Sequence, residues 1–136
     1  MANSTIARTL AECRTLGWPA AIVEKWVAMP SRRVDLFGLV DVLALAGING
    51  AVGIQACGAS GDAAAHVRKA LASPYLIPWL ESGLGFEIWA WRKVGPRGKR
   101  KTWQRRTIVF DLVPGTCQVR LWDSTTDQWI EASEWM

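Results

Sequence analysis

The stretch VDVLALAGINGAVGIQAC, residues 40 to 57, predicts two neighbouring strands of a sheet joined by a short turn. Its apolar residues flank the glycine-containing turn GING at residues 47 to 50, a pattern typical of connected strands. We therefore predict strands over residues 36 to 46 and 51 to 57. Within these two strands the only polar side chains are those of Asp41 and Gln55.

Side chains alternate along a strand, so Gln55 and Cys57 share one face of the second strand. A hairpin through the GING turn would place Asp41 beside Gln55. Carboxylate and amide oxygens are ligands that Mg²⁺ accepts together with several waters, so the pair Asp41 and Gln55 predicts a weak site for Mg²⁺ or Mn²⁺. The alternative for Asp41 is a carboxylate that accepts hydrogen bonds from backbone amides.

The rest of the chain predicts one α/β domain over residues 1 to 136, with helices and strands in the order αβββαβ followed by further strands. A chain of this length can bury a single core. The segment from residue 123 to 136 has no clear pattern. We predict helices over residues 4–16 and 75–82, a helix capped by Ser60 or Asp62 that runs to about Ala72, and further strands over 20–29, 86–94, 102–112 and 116–123.

Positive charge is concentrated in one segment, RKVGPRGKRKTWQRR, residues 92 to 106. It holds eight of the sixteen Lys and Arg residues and no acid, so the rest of the chain has eight bases and twelve acids. Such a cluster favours binding to a polyanion, of which nucleic acid is the commonest. The alternative is a solvated hairpin that keeps the protein soluble.

Nine tryptophans are more than a core of this size requires. Trp89 and Trp91 point to the same side of one predicted strand, and Trp103 faces them across the basic hairpin. Three uses fit this pattern: stacking on nucleic-acid bases, covering a sheet, or forming a homodimer interface.

Several classes of protein and site do not fit the sequence. The first ten residues, MANSTIARTL, lack a basic cluster followed by an apolar core, so we expect no signal peptide and a cytoplasmic protein without a membrane partner. Three scattered cysteines support neither a disulfide framework nor a zinc site. We expect His66 to be an ordinary helix residue, and Asp35 to lie in a loop and pair with Arg32 or Arg33.

The order of these features resembles the PD-(D/E)XK nuclease superfamily, and within it the small Holliday-junction-resolvase-like proteins of the kind that phages encode. The resemblance covers about residues 5 to 93: a helix with Glu12, then Asp41 in VDVLAL, then GIQAC, then a helix beginning GASGDAAAHVRK. It implies a restriction-endonuclease-like core, a mixed central sheet flanked by helices, with residues 92 to 136 as a C-terminal β-hairpin extension.

The resemblance also implies catalytic residues. Glu12, Asp41 and Gln55 fall on the acidic positions of the family, whose carboxylates hold Mg²⁺, and Cys57 falls on its lysine. Glutamine supplies an oxygen without a charge, and cysteine supplies no cation. Lys25 is therefore the first candidate for a substitute lysine. Second candidates are Arg68 and Lys69 for the lysine and Glu24 or Asp35 for the carboxylate.

The sequence thus predicts a divergent metal-dependent DNA endonuclease that acts on branched or double-stranded DNA. Its predicted catalytic residues are Glu12, Asp41, Gln55 and Lys25. The first alternative is a catalytically inactive nuclease fold that binds nucleic acid or protein, and the second is an adaptor that binds a protein through its tryptophans. Residues predicted to bind DNA are Arg68, Arg92, Lys93, Lys99, Arg100, Lys101 and Arg105.

Overall fold

The computed structural model describes residues 4–29, 31–58 and 62–135, which form an α/β fold. Nine strands and three α-helices are present in this part of the chain. The helices are α1 (Ser4–Leu16), α2 (Asp62–Ala72) and α3 (Leu76–Glu81). The strands are β1 (Ala20–Ile22), β2 (Lys25–Val27), β3 (Arg32–Val34), β4 (Val42–Leu45), β5 (Ala51–Gly58), β6 (Gly85–Val94), β7 (Thr102–Leu112), β8 (Val119–Asp123) and β9 (Gln128–Glu131).

Seven strands form one mixed sheet in the order β1-β4-β5-β6-β7-β8-β9, and β2 and β3 form a separate two-stranded hairpin. Only the β5–β6 pair is parallel, because α2 and α3 carry the chain back between these strands. All the other neighbours in the large sheet are antiparallel. The large sheet is therefore a mixed sheet with helices attached to it.

The two faces of the large sheet are covered by different helices. Ile54 and Ala56 of β5 pack with residues of α1 in one buried cluster. Cys57 packs with residues of α2 and α3 in the other cluster. Gly53 lies on the α3 side, where an added Cβ would approach the Trp79 ring to 2.7 Å. Glycine at this position therefore lets α3 lie close to the sheet.

The predicted helices and most predicted strands are present, with three differences. The strand predicted over residues 20–29 is interrupted: the Val23 N–H still donates to the Asp41 carbonyl next to β4, and the chain then leaves the large sheet and pairs with β3 as β2. The strand predicted from residue 36 begins at Val42, since a turn closed by the Val40 N–H and the Leu36 carbonyl precedes it. The strand predicted from residue 116 begins at Val119, after a turn.

The C-terminal segment, which had no clear sequence pattern, forms the edge strand β9 and a short 3₁₀ helix, Ala132–Trp135. None of the helices described here combines the length and the apolar character needed to cross a membrane.

Candidate metal centre

A polar cavity of about 390 Å³ opens at the carboxyl end of β5. Acidic side chains lie on one part of its wall, and α2 contributes two nitrogen-bearing side chains to another part. The residues that line it are Thr5, Ile6, Glu24, Asp35, Asp41, Gln55, Ala56, Cys57, Gly58, His66 and Lys69.

Asp41 is fixed at the start of β4 by the pairing with β5. Val42 pairs with Ile54, and the Asp41 N–H donates to the Ile54 carbonyl at 3.0 Å, so Asp41 lies opposite Gln55 as expected from the sequence. The Asp41 side chain is buried, and its carboxylate accepts a hydrogen bond from the Ala56 N–H at 2.9 Å. The Asp41 carboxylate thus accepts a backbone hydrogen bond and also lines the cavity. From the sequence, backbone bonding was the alternative to a metal site.

Two further carboxylates come from the β2–β3 hairpin. Lys25 pairs with Val34, so Glu24 and Asp35, one position further from the hairpin tip, emerge beside each other. Carboxylate oxygens of Glu24, Asp35 and Asp41 all lie within 4.8 Å of one another. Asp35 lies outside the strands, as expected, but its expected pairing was wrong: Arg33 pairs with Glu24 instead, at 2.7 Å, and Asp35 joins the acidic cluster.

Gln55 contacts this cluster through its amide nitrogen. Its Nε2 donates to the Asp35 carboxylate at 3.3 Å. Gln55 therefore contacts the cluster as a hydrogen-bond donor, whereas the sequence prediction used its amide oxygen as a metal ligand. The cluster contains Glu24 and Asp35, the residues that the sequence offered as substitute carboxylates.

The three carboxylates repel one another, and burial strengthens this repulsion. Burial, a hydrogen bond with Asp35 and the nearby Asp35 and Glu24 charges raise the pKa of Asp41 to about 8, against the opposing effect of the Ala56 N–H. A divalent cation relieves such repulsion and prefers oxygen ligands. The donor set of Glu24, Asp35 and Asp41 therefore fits Mg²⁺ or Mn²⁺.

The lysine of the cavity comes from α2. Lys69, an exposed residue of α2, lines the cavity wall together with His66, which is therefore placed at a polar cavity as well as in a helix. Lys25, the first candidate from the sequence, is exposed on β2, where alternation along the strand directs it away from the side of Glu24. Arg68 is exposed on α2.

Glu12 lies on the other face of the sheet. It belongs to α1 and approaches Arg105 of β7, with 3.8 Å between the two charged groups. Within the described part of the chain, α1 contributes Thr5 and Ile6 to the cavity wall, and Glu12 is not part of that wall. The structure therefore does not bring Glu12 together with Asp41 as the resemblance implied.

The basic hairpin, residues 92 to 106, projects from the same end of the strands at which the cavity opens. Gly58, the last residue of β5, pairs with Trp91, and β6 continues to Val94, about 10 Å further. Arg105 is not free on this surface, because its guanidinium lies 3.9 Å from the Trp89 ring centroid and near Glu12. Six cations of the segment are exposed, namely Arg92, Lys93, Arg97, Lys99, Arg100 and Lys101.

Two of the three tryptophans predicted to face one another, Trp89 and Trp91, are part of the core. Trp89 and Trp91 are buried beneath α1, and the Trp91 indole N–H donates to the Thr9 hydroxyl at 2.9 Å. Trp103 is 41% exposed, and the Arg8 guanidinium covers its ring at 3.3 Å from the centroid. Covering the sheet is therefore the use that the structure supports for Trp89 and Trp91.

No family model matches the chain. No curated protein and no solved structure matches it either. Inference about function therefore rests on the chemistry of the cavity and of the surfaces beside it.

The cavity and the basic hairpin beside it offer three kinds of binding group at one end of the sheet. The carboxylates can hold a divalent cation, the Lys69 ammonium can offset negative charge on a bound group, and the basic hairpin can hold a polyanion. A phosphodiester backbone is a ligand that uses all three. From the sequence, Asp41 and the basic hairpin were first candidates, whereas Glu24, Asp35 and Lys69 were predicted only as substitutes.

Proposed function

We propose that this protein is a metal-dependent phosphodiesterase that cleaves DNA, built on a divergent restriction-endonuclease-like core. The observation that carries the proposal is the cluster of three carboxylates within 4.8 Å of one another in a cavity that also contains Lys69. Such a cluster is costly to bury without a cation, and phosphoryl transfer is a common use of a carboxylate-bound Mg²⁺.

The order of elements supports the family part of the proposal. Helix α1, strands β1, β4 and β5, helix α2 and strand β6 have the order αβββαβ, with the β2–β3 hairpin inserted between the first two strands and α3 between α2 and β6. Asp41 and Gln55 occupy neighbouring strands, as the resemblance to PD-(D/E)XK nucleases implies. In this proposal the family's missing acid and lysine have moved to the inserted hairpin and to α2.

Four residues of the cavity have defined parts in the proposed reaction. When bound, the metal would polarise a phosphoryl oxygen and lower the pKa of a water molecule. Asp41 is held in place by the Ala56 N–H, and Gln55 holds Asp35, so two of the ligands are oriented before metal binding. Lys69 would offset the charge that develops on the phosphate in the transition state.

Lys69 and Lys25 provide a matched test of the proposed lysine. Lys69→Ala should lower kcat for metal-dependent DNA cleavage by about 100-fold or more, since it removes a group that stabilises transition-state charge. Lys25→Ala should leave kcat unchanged, because Lys25 is not among the residues that line the cavity and is directed away from the acidic cluster. Single-turnover cleavage of a labelled duplex measures both. Equal effects of the two substitutions would contradict the assignment of Lys69.

The basic hairpin should control the salt dependence of DNA binding. Replacing Lys99, Arg100 and Lys101 with glutamine should reduce the slope of log K against log salt by about 0.9 for each phosphate that is no longer neutralised, up to about 2.7. Fluorescence anisotropy with a labelled duplex at salt concentrations from about 50 to about 200 mM measures this slope. Arg14→Gln, an exposed change near the far end of α1, is the control and should leave the slope unchanged. An unchanged slope in the triple variant would exclude the hairpin from the binding surface.

A DNA-binding module without catalytic activity is the second candidate. It is favoured by Cys57, which is buried among apolar residues at the position of the family's lysine, and by the uncharged Gln55. Plasmid DNA incubated with Mn²⁺ or Mg²⁺ distinguishes the two functions. Nicking that increases with protein concentration supports the phosphodiesterase, whereas DNA retention without nicking under either metal supports the binding module.

A further inference from the structure

One face of the β2–β3 hairpin carries more than the two carboxylates. Trp26 pairs with Arg33 across the hairpin, so the two side chains lie on the same face. Arg33 also contacts Glu24 at 2.7 Å, which shows that Glu24 belongs to this face as well. The face therefore runs from the acidic cluster at the base of the hairpin to an aromatic ring and a guanidinium nearer its tip.

Trp26 is available to a ligand. It is 61% exposed, whereas Trp89 and Trp91 are buried in the core. Trp26 lies two positions after Glu24, a rise of about 7 Å along a strand. This separation is comparable to that between a backbone phosphate and its own base in a nucleotide. A phosphate at the acidic cluster would therefore bring a base within reach of the Trp26 ring.

The charge of the hairpin indicates the kind of ligand. Residues 25 to 34 contain Lys25, Arg32 and Arg33 and no acid. The Arg33 side chain is half-exposed while it contacts Glu24, so it can also contact a phosphate. Of these three cations, Arg33 shares the face of Trp26. An exposed aromatic ring beside a guanidinium is complementary to a nucleic-acid strand, in which phosphates and bases alternate.

We propose that Trp26 stacks on an unpaired base next to the phosphate held at the acidic cluster, while Arg33 contacts the neighbouring backbone. The position of that phosphate rests on the proposed function. In an intact duplex both faces of each base are already stacked, so the Trp26 ring has no free base to cover. The preferred substrate is accordingly DNA with an unpaired nucleotide at the cleavage site, such as a single strand, flap, gap or bulge.

The binding test uses the full-length protein with Ca²⁺, an oxygen-ligated cation that can hold a phosphate at the acidic cluster, and a denaturing gel verifies that the DNA stays intact. Fluorescence anisotropy compares a labelled single strand with a duplex of the same sequence. Trp26→Ala should weaken binding to the single strand by about tenfold and leave binding to the duplex nearly unchanged. Trp26→Phe should recover most of the affinity. Trp129→Ala removes another exposed tryptophan, on the edge strand β9, and should change neither affinity.

A second measurement identifies the base as the partner of Trp26. An oligomer of abasic deoxyribose phosphates should bind the wild-type protein as weakly as the natural single strand binds Trp26→Ala. The Trp26→Ala variant should bind the abasic oligomer no more weakly than the wild type does, because neither complex contains the stacking interaction. Circular dichroism verifies that each variant retains the fold.

Four results would overturn the inference. Two concern the affinity of Trp26→Ala: an equal decrease for single strand and duplex, or no decrease for either. The third is that the wild-type protein does not bind the single strand at low salt, and the fourth is that Trp26→Ala binds DNA normally but self-associates less in analytical ultracentrifugation. The last result would assign Trp26 to a protein interface. Absence of cleavage with Mn²⁺ would overturn the proposed function separately, because the role of Trp26 in base binding is measured as an affinity, without cleavage.

Discussion

Replacing Asp41 with asparagine should abolish metal-dependent DNA cleavage while DNA binding persists. The change removes the buried carboxylate of the acidic cluster but keeps an oxygen that can accept the Ala56 N–H. We expect cleavage to fall by at least about 10³-fold, equivalent to about 4 kcal/mol of transition-state stabilisation. Nicking of supercoiled plasmid in Mg²⁺ and in Mn²⁺ measures the decrease, and gel retardation in EDTA measures binding.

Asp111→Asn is the matched control for Asp41→Asn. Asp111 is partly exposed and pairs with Arg120 between β7 and β8, outside the cavity wall. The same chemical change there should leave cleavage within about twofold of the wild type. Full cleavage by Asp41→Asn would contradict the phosphodiesterase mechanism, and failure of this variant to bind DNA would indicate a structural role for Asp41.

The stability of the metal-free protein should fall as pH rises from about 4 to about 8. Burial and the neighbouring Asp35 and Glu24 carboxylates raise the pKa of Asp41 to about 8, whereas an unfolded aspartate has an ordinary value near 4. Between these values the folded state retains a proton that the unfolded state has released. The free energy of unfolding therefore decreases with pH, by at most about 1.4 kcal/mol per pH unit, and levels off above the folded-state pKa.

Asp41→Asn isolates this effect, because asparagine cannot ionise. The variant should be more stable than the wild type at pH 8, and the difference between the two should vanish near pH 4. Addition of Mg²⁺ at pH 8 should stabilise the wild type, by about 2.7 kcal/mol at 100 times its Kd, and should have little effect on the variant. Urea unfolding in EDTA and in Mg²⁺ at several pH values measures each free energy. Parallel pH profiles for the two proteins would contradict the raised pKa.

The stability of the fold at low pH depends on a different group, the Asp123 carboxylate. Burial would raise the pKa of Asp123, but the hydrogen bond from Arg106, those from Thr125 and the Arg106 charge lower it below its usual value. This group stabilises the fold above the unfolded pKa and its contribution disappears as pH falls through the lowered value. Because Asp123 is present in both proteins, the comparison between wild type and Asp41→Asn removes its effect.

Local pattern alone predicted the elements that hold Asp41. The alternation of side chains in β5 and the glycine turn before it placed Gln55 opposite Asp41, since both features depend on residues close in sequence. Helices α1 and α2 followed from their apolar spacing in the same way. The interruption between β1 and β2 did not follow, because it depends on which strands pair: β1 pairs with β4 in the large sheet, whereas β2 pairs with β3 in a separate hairpin.

The α/β pattern, the Asp41–Gln55 pair and the concentration of positive charge in residues 92 to 106 can all be read from the order of residues along the chain. Which other side chains join that pair depends on how distant elements pack. The β2–β3 hairpin brings Glu24 and Asp35 to Asp41, while α1 packs on the opposite face and takes Glu12 away and buries Trp89. The physical reason is that alternation fixes the direction of a side chain within its own strand, whereas convergence of charges and coverage of a face depend on packing between elements distant in sequence.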